Sequence, residues 1–194
     1  TRTLDAFEAH AGRRPAIVHW GQPWYWASRG GYQPFQADMA ERVRLRGSIP
    51  MITWTTTDQD RGGSLDQPDF RLATITGGRH DAYVRAWARA AKAWGHPLLV
   101  RFDHEMNGSW FVWSERVNGN APGDFVRMWR HVVDIFRQEG ATNVTWVWAP
   151  NQEFPGSQPL AGIYPGDAYV DWVGMDGYNW GLYPDRAGWV SFEA

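Results

Sequence analysis

The chain has 194 residues, a formal net charge of −2 and no cysteine. A chain of this length builds one substantial core, and it lacks the basic patch with which proteins neutralise the phosphates of a nucleic acid. Without cysteine, disulfides, thiol catalysis and cysteine metal sites are excluded, and without a run of eighteen apolar residues no membrane span is predicted.

Helical and strand patterns alternate along the chain. The predicted elements are a helix at 4–11, a strand at 16–20, a helix at 37–47, a strand at 49–54, a helix at 80–95, a strand at 97–102, a helix at 124–140 and strands at 143–148 and 171–178. The helices carry apolar residues at helical spacing, and each ends at a glycine. Strands that are separated by helices predict a parallel sheet in an α/β fold.

Polar and aromatic side chains gather at one end of every predicted strand. The carboxyl ends read VHWGQ, ITWTT, RFDHEMNGSW, VWAPNQ and MDGYNW, whereas the amino ends show no such gathering of polar and aromatic side chains. Active sites occupy this edge in (β/α)₈ barrels and in open doubly wound sheets, and no glycine-rich phosphate loop of the open-sheet kind follows any strand. The sequence therefore predicts a (β/α)₈ TIM barrel. Only five of its eight strands are visible, so we expect a single incomplete domain over 1–194.

The dipeptide His104-Glu105 follows the strand at 97–102. A zinc site is disfavoured because Gly108 stands where the motif H-E-x-x-H requires its second histidine. The alternative without a functional role is a structural ion pair between Glu105 and Arg101. The functional interpretation is a carboxyl group that Arg101 and His104 hold at the end of a strand.

Tryptophan supports the functional interpretation. The chain has 14 tryptophans, and two of them, Trp110 and Trp113, follow Glu105 closely after the turn at Asn107-Gly108. Indoles are large and flat, and they stack on apolar faces such as those of sugar rings. Cleavage of a glycosidic bond requires two carboxyl groups, one of which protonates the leaving oxygen. Glu105 is the candidate for that acid.

Three stretches carry a resemblance to a known family. RFDHEMNGSWFVW, MWRHVVDIFRQEGATNVTWVWAPN and VDWVGMDGYNW resemble glycoside hydrolase family 26, which contains endo-β-1,4-mannanases with some lichenases and xylanases. The resemblance covers nearly the whole chain and implies a (β/α)₈ barrel of retaining enzymes that act on β-linked polysaccharides. It maps the visible strands onto strands two to six, so strands one, seven and eight are missing.

The resemblance also implies roles for individual residues. Glu105 corresponds to the acid/base, His104 to a residue at the sugar subsite beside the cut, Trp110 to a stacking residue and Tyr178 to a hydrogen-bond donor to the nucleophile. That nucleophile is a glutamate at the end of strand seven, which this chain does not reach. Glu193 lies in the helix after strand six, and we reject it as the nucleophile.

The remaining aromatic and polar residues have open alternatives. Trp54 and Trp180 stand at strand ends with Trp20 and Trp148, where an indole either contacts ligand or covers the barrel. Asn151 either bonds a sugar hydroxyl or caps a turn. Asp176 is expected to be a structural carboxylate rather than a second catalytic acid. The helical tryptophans are expected in the core; they are Trp87, Trp94 and Trp129.

One loop is similar to a calcium site. In the stretch 58–69, the residues Asp58, Asp60, Gly63 and Asp69 occupy loop positions 1, 3, 6 and 12, but position 12 is not glutamate. A solvated loop is preferred, and no metal or cofactor is predicted.

The main hypothesis is a secreted retaining mannanase whose signal peptide is not present, with the chain as given inactive because it lacks the nucleophile. Lichenase or xylanase activity of the same family is the nearest alternative. A module that binds glycans without cutting them is a second class of function. A barrel enzyme that uses flavin or phosphate is a third, and the lack of a glycine-rich phosphate turn argues against it. Partners are expected to be β-linked polysaccharides, with neither nucleic acid nor membrane.

Overall fold

The computed structural model describes residues 2–181 and residue 189. Its helices are α1 (Arg2–Ala11), α2 (Ala37–Leu45), α3 (Leu72–Thr76), α4 (Asp81–Trp94) and α5 (Asp124–Glu139). Its strands are β1 (Ile17–Trp26), β2 (Gly31–Tyr32), β3 (Ile49–Asp58), β4 (Leu98–Phe102), β5 (Val144–Trp148) and β6 (Trp172–Val173). The predicted alternation of helices and strands is confirmed.

The strands form one sheet in the order β2-β1-β3-β4-β5-β6. All neighbours from β1 to β6 are parallel, and β2 joins β1 as a short antiparallel hairpin at Tyr25 and Trp26. Consecutive parallel strands with helical crossovers are the arrangement of part of a (β/α)₈ barrel.

Two strands are longer than the sequence predicts, and one is shorter. β1 continues from Gly21 to Trp26 and β3 continues to Asp58, so the two pair over most of their length, with a register shift between Pro23 and Tyr25. Gly21 and Pro23 lie within this longer strand, and both residue types weaken a strand pattern in the sequence. The predicted strand at 171–178 is regular only at Trp172–Val173, followed by an isolated bridge from Asp176 to Asn151.

The side chains of β3 separate into two faces. Trp54 is 0% exposed and packs against Trp87 of α4 and Phe136 of α5, with ring centroids 4.7 and 5.9 Å away. Its indole donates a hydrogen bond to Tyr83. The odd-numbered threonines of β3 face the other way, because successive side chains of a strand alternate. β3 therefore presents polar side chains to the barrel interior, and the aromatic core lies on its other face, between the sheet and the helices.

The two long helices carry the rest of that core. The buried residues of α4 include Tyr83 and Trp87, and those of α5 include Phe125, Trp129 and Phe136, each set at helical spacing. The expected core positions of Trp87 and Trp129 are confirmed, whereas Trp94 is only partly buried at the edge of the core.

Within the described part of the chain, the sheet has unpaired edges and exposed apolar side chains near β6. Trp172, Val173 and Met175 are all more than half exposed. No helix among the described residues is long and apolar enough to cross a membrane.

Candidate active site

Glu105 lies at the carboxyl end of β4, where the backbone is unusual. Its φ is 53°, and that of Asp103 is 40°, both in the left-handed region that non-glycine residues rarely adopt. The Glu105 N–H donates to the carbonyl of Ala149 after β5, at 2.8 Å. Glu105 is only 8% exposed. Such conformations cost about 1–3 kcal/mol each and cluster at functional sites, so the surrounding contacts must hold this turn.

Asp103 supplies one of these contacts. Its carboxyl oxygens accept hydrogen bonds from the Thr56 backbone N–H and from the Thr56 hydroxyl, both at 2.8 Å. The side chain is completely buried, and burial raises the pKa of Asp103 to about 8, against the lowering effect of the two Thr56 hydrogen bonds. Asp103 thus fixes the end of β4 to β3. No local sequence pattern marks Asp103 for this role.

Asn107 supplies a second contact. Its side-chain amide donates to the Asn151 carbonyl and its side-chain oxygen accepts from the Asn151 N–H, both at 2.9 Å. The Asn107 carbonyl also accepts from the N–H of Gln158. This two-way clamp joins the loops after β4 and β5. Asn151 is therefore held through its backbone N–H and carbonyl. The predicted contact with a sugar hydroxyl would be made by its half-buried side chain.

Trp110 lies beside Glu105, as predicted. Its indole N–H donates to Glu105 Oε2 at 2.8 Å, and its ring is 5.5 Å from that of Phe154. The side chain is 41% exposed. A β-carbon added to Gly108 would lie 2.5 Å from the Trp110 ring, so glycine is needed for the ring to reach this position.

Trp113 supports the site instead of forming an open platform. It is 3% exposed, stacks on Phe111 at 4.4 Å and donates its indole N–H to the His104 carbonyl at 2.7 Å. Trp113 is therefore nearly buried, although it also lines the pocket beside His104, and its predicted contact with substrate stays a prediction. The burial arises because the turn at Asn107-Gly108 folds Trp113 back under His104.

His104 forms the adjoining wall. Its ring lies 4.8 Å from that of Phe111. Burial lowers the pKa of His104 to about 3, and the positive charge of Arg101 and the neighbouring His19 act in the same direction. The imidazole is therefore neutral at ordinary pH.

Arg101 pairs with Asp176 and not with Glu105. One guanidinium nitrogen contacts Asp176 Oδ2 and another donates to the Thr53 hydroxyl at 3.1 Å. Thr53 also bonds to His19, at 2.5 Å. Burial lowers the pKa of Arg101, while the Glu105 charge opposes that shift. Arg101 therefore acts on Glu105 through its charge. Asp176 forms the ion pair with Arg101, which agrees with the structural role that the sequence suggested for this carboxylate.

The remaining predicted site residues separate into rim and core. Tyr178 is 62% exposed at the rim and lies 5.5 Å from Trp180. Trp54 is corrected: it lies in the core, because its position in β3 directs it towards the helices. Trp20 and Trp148 also pack against the core. Glu193 falls outside the described residues.

A pocket of about 500 Å³ adjoins His104 and Trp110. Thr53, Thr55 and Thr57 line it from β3, and we call it the threonine pocket. Its other walls come from the start of the loop weighed as a calcium site and from the end of β1. In that loop, Asp60 accepts hydrogen bonds from the N–H and hydroxyl of Ser28. Among the described residues no group of three or more His, Asp or Glu side chains is placed to hold a metal ion.

The family model of glycosyl hydrolase family 26 matches residues 22–192. This chain belongs to glycosyl hydrolase family 26. The match includes the whole stretch from β3 to β6 and therefore the site around Glu105.

Relatives of this family 26 chain are named for more than one activity. Endoglucanase H of Acetivibrio thermocellus is 36% identical in an alignment of 200 positions that covers 98% of this chain and 20% of that protein. A mannan endo-1,4-beta-mannosidase of Bifidobacterium adolescentis is 32% identical in an alignment of 204 positions that covers 90% of this chain and 19% of that protein. The chain thus spans about one fifth of the length of these relatives.

The solved structure of a Cellulomonas fimi endo-beta-1,4-mannanase double mutant has the same fold. It aligns with a TM-score of 0.66 and 25% identity over 89% of this chain and 43% of that chain. The family 26 chain is thus part of a (β/α)₈ barrel, with the strands in the order expected for it.

Proposed function

We propose that this chain is the acid/base-bearing part of an endo-acting glycosidase that cleaves β-1,4-mannan with retention. The observation that carries the proposal is the hydrogen bond from the Trp110 indole to Glu105 Oε2 at a strand end. This contact joins an exposed indole, which offers a stacking surface for a sugar ring, to a nearly buried carboxyl group, which can act as a proton donor.

The same contact supports different roles for the two oxygens of Glu105. An indole N–H is a donor only, so Oε2 accepts from Trp110, and Oε1 is proposed to carry the catalytic proton. In the first step Glu105 gives this proton to the glycosidic oxygen as the bond to the anomeric carbon breaks and the nucleophile carboxylate of the complete barrel bonds to that carbon. In the second step Glu105 takes a proton from the water that attacks the same carbon and displaces the nucleophile carboxylate.

The second carboxyl group is proposed to lie outside these residues, on strand seven of the complete barrel. A retaining pair requires carboxyl groups about 5–5.5 Å apart across the substrate. Asp176 also follows a predicted strand, but it is already engaged in an ion pair with Arg101. Tyr178, exposed beside this pair at the rim, is proposed to donate to the nucleophile.

Mannan is the proposed polysaccharide because a mannanase is among the relatives. Mixed-linkage β-glucan is the alternative, since a relative that covers nearly the whole chain is an endoglucanase. Xylan remains a further alternative, since beta-1,3-xylanases are also among the relatives. Residues 1–194 are proposed to be one incomplete catalytic domain of a secreted protein that degrades polysaccharide.

Two assays test the proposal. The 194-residue chain should release no reducing ends from mannan, β-glucan or xylan, whereas the same chain completed with the other barrel strands should hydrolyse mannan fastest. Hydrolysis by the 194 residues alone would contradict the placement of the nucleophile. A completed barrel that binds mannan and cleaves none of the three polymers would favour a module that only binds glycans.

A further inference from the structure

The orientation of Trp110 depends on a second loop. Its indole N–H donates to Glu105 Oε2 at 2.8 Å, and its ring lies 5.5 Å from that of Phe154. Because Trp110 is 41% exposed, a surrounding core does not fix its ring, and contacts such as these have to do so. Phe154 belongs to the loop after β5, so the placement of the indole against Glu105 depends on how that loop is held.

Phe154 lies in a tight turn of residues 154–157, which we call the aromatic turn. The Ser157 N–H donates to the Phe154 carbonyl at 2.8 Å, and the Ser157 hydroxyl accepts from the Phe154 N–H at 3.2 Å. Pro155 and Gly156, between them, are exposed. The turn is thus closed on itself, and since its tip is exposed, its position has to be set by contacts with the neighbouring loop.

Gln158 fixes the base of the aromatic turn to the loop after β4. Its backbone N–H donates to the Asn107 carbonyl at 2.9 Å, and its side-chain amide donates to Glu115 Oε2 at 2.5 Å. The Arg116 guanidinium contacts the Gly156 carbonyl at the tip. Two consecutive residues of the loop after β4, Glu115 and Arg116, therefore hold the turn at its base and at its tip.

Glu115 is a buried carboxyl group that the two steps of hydrolysis do not use. It is 6% exposed, and its other oxygen, Oε1, accepts from the Phe125 N–H in the first turn of α5 at 3.0 Å. Burial of such a group costs free energy unless hydrogen bonds satisfy it. Here the two donors belong to a helix and to the loop after β5, so Glu115 ties the loop after β4 to both.

Ser114, the residue before Glu115, acts on Trp110 by another route. Its side chain is 0% exposed, and its hydroxyl donates to the Gly108 carbonyl at 2.5 Å. Gly108 is the residue whose missing β-carbon leaves room for the Trp110 ring. Two consecutive buried polar residues thus reach the same indole, one through Gly108 and the other through the aromatic turn.

We propose that Glu115 and Gln158 are positioning residues for the acid/base. Their hydrogen bond holds the aromatic turn, the turn holds Phe154 against Trp110, and the indole holds Glu105 Oε2. This inference rests on the proposed function of Glu105 and deepens it. Loss of the contact between Glu115 and Gln158 should harm proton transfer more than other steps, because the orientation of the proton donor is what is lost.

The experiment breaks this contact in the completed barrel and compares two substrates. Gln158→Glu sets a second carboxyl group against Glu115, and kcat/KM on mannan should fall by about tenfold, as expected when a catalytic group loses its orientation. On an aryl mannoside whose leaving group needs no proton, kcat/KM reports a first step without acid catalysis and should fall by less than about twofold. A variant that is merely less folded loses the same fraction on both substrates.

A second substitution should rescue the first. When Glu115→Gln is added to Gln158→Glu, the amide at position 115 donates to the carboxyl group at position 158, while its oxygen still accepts from the Phe125 N–H. The double variant should regain most of the lost rate on mannan. Gln36→Glu, at the start of α2 where the side chain makes no cap hydrogen bond, is the matched control and should equal the wild type on both substrates.

Arg116→Met serves if Gln158→Glu does not fold, because Arg116 is exposed and its loss spares the core. It removes the contact to the Gly156 carbonyl and should lower kcat/KM on mannan by about two- to tenfold, the scale of one hydrogen bond. The aryl mannoside should again be spared.

Equal losses on the two substrates in folded Gln158→Glu or Arg116→Met, an unchanged rate on mannan, or a double variant no faster than Gln158→Glu would overturn the positioning role. Glu105→Gln is measured in parallel. If its loss is confined to mannan, those results leave the proposed function standing. If Glu105→Gln shows no such loss, the proposed function fails, and the positioning role fails with it.

Discussion

At the scale of single residues, the site depends on how closely Trp110 approaches Glu105. The indole reaches the carboxyl group only because Gly108 presents no β-carbon to the ring. The sequence identified Glu105, His104 and Trp110 because the dipeptide and its tryptophans stand together at a strand end. It missed Asp103, whose role depends on a partner 47 positions away in the chain, and no local pattern reveals that partner.

Gly108→Ala is expected to displace the Trp110 ring and break its hydrogen bond to Glu105. The added carbon would lie 2.5 Å from the ring, which is closer than real β-carbons approach. Hydrolysis by the completed barrel should fall by about tenfold or more, as expected when a proton donor loses its orientation. The matched control is Gly162→Ala, where a β-carbon meets nothing within 4 Å. Equal rates for the two variants would contradict the role of Gly108.

At the scale of elements, the loops after β4 and β5 are held by pairs of hydrogen bonds. Asn107 joins them, and Asp103 joins β4 to β3. The sequence predicted which elements exist, since hydrophobic periodicity is local. It did not predict how far β1 and β3 extend, because their pairing with each other overrides the glycine and prolines within them.

Asp103→Asn tests the buried carboxyl group. Because burial raises the pKa of Asp103 from its ordinary value near 3.8 to about 8, its contribution to stability is full at acidic pH and is lost as the pH rises towards 8. The asparagine variant keeps the shape without this loss. Urea midpoints at pH 5 and pH 8 should therefore show the wild type losing stability relative to Asp103→Asn at the higher pH.

The control for this series is Asp38→Asn, at an exposed position in the first turn of α2. Its difference from the wild type should not follow the same trend with pH. A difference between wild type and Asp103→Asn that stays constant, or that grows in favour of the wild type as the pH rises, would show that Asp103 is ionised in the fold.

Asn107→Ala removes both hydrogen bonds of the clamp and leaves the Asn151 N–H and carbonyl without these partners. A buried group that loses its partner costs about 1–3 kcal/mol, so a drop of that order in the free energy of unfolding is expected. Thermal and urea unfolding measure it. A variant as stable as the wild type would mean that water replaces the clamp.

At the scale of the whole molecule, the described sheet is an incomplete barrel with an apolar surface near β6. Exposed strand edges and apolar side chains favour association between chains. The chain should therefore sediment as mixed species at micromolar concentration, and Val173→Lys should shift the distribution towards monomer. Monodisperse monomers of both proteins over this range would contradict the inference that this surface is uncovered.

The family resemblance identified the barrel, but the curvature that brings the strand ends together is a tertiary property and required the structure.

The central claim is that Glu105 is the acid/base, and the most direct measurement compares the rate loss in Glu105→Gln on two substrates in the completed barrel. On mannan the rate should fall by about 10²–10⁴, the contribution of a general acid. On an aryl mannoside whose leaving group needs no proton, the first step should lose far less. Glu139→Gln, in a partly buried ion pair at the end of α5, should leave both rates unchanged. Wild-type hydrolysis of mannan by Glu105→Gln, or equal losses on both substrates, would contradict the assignment.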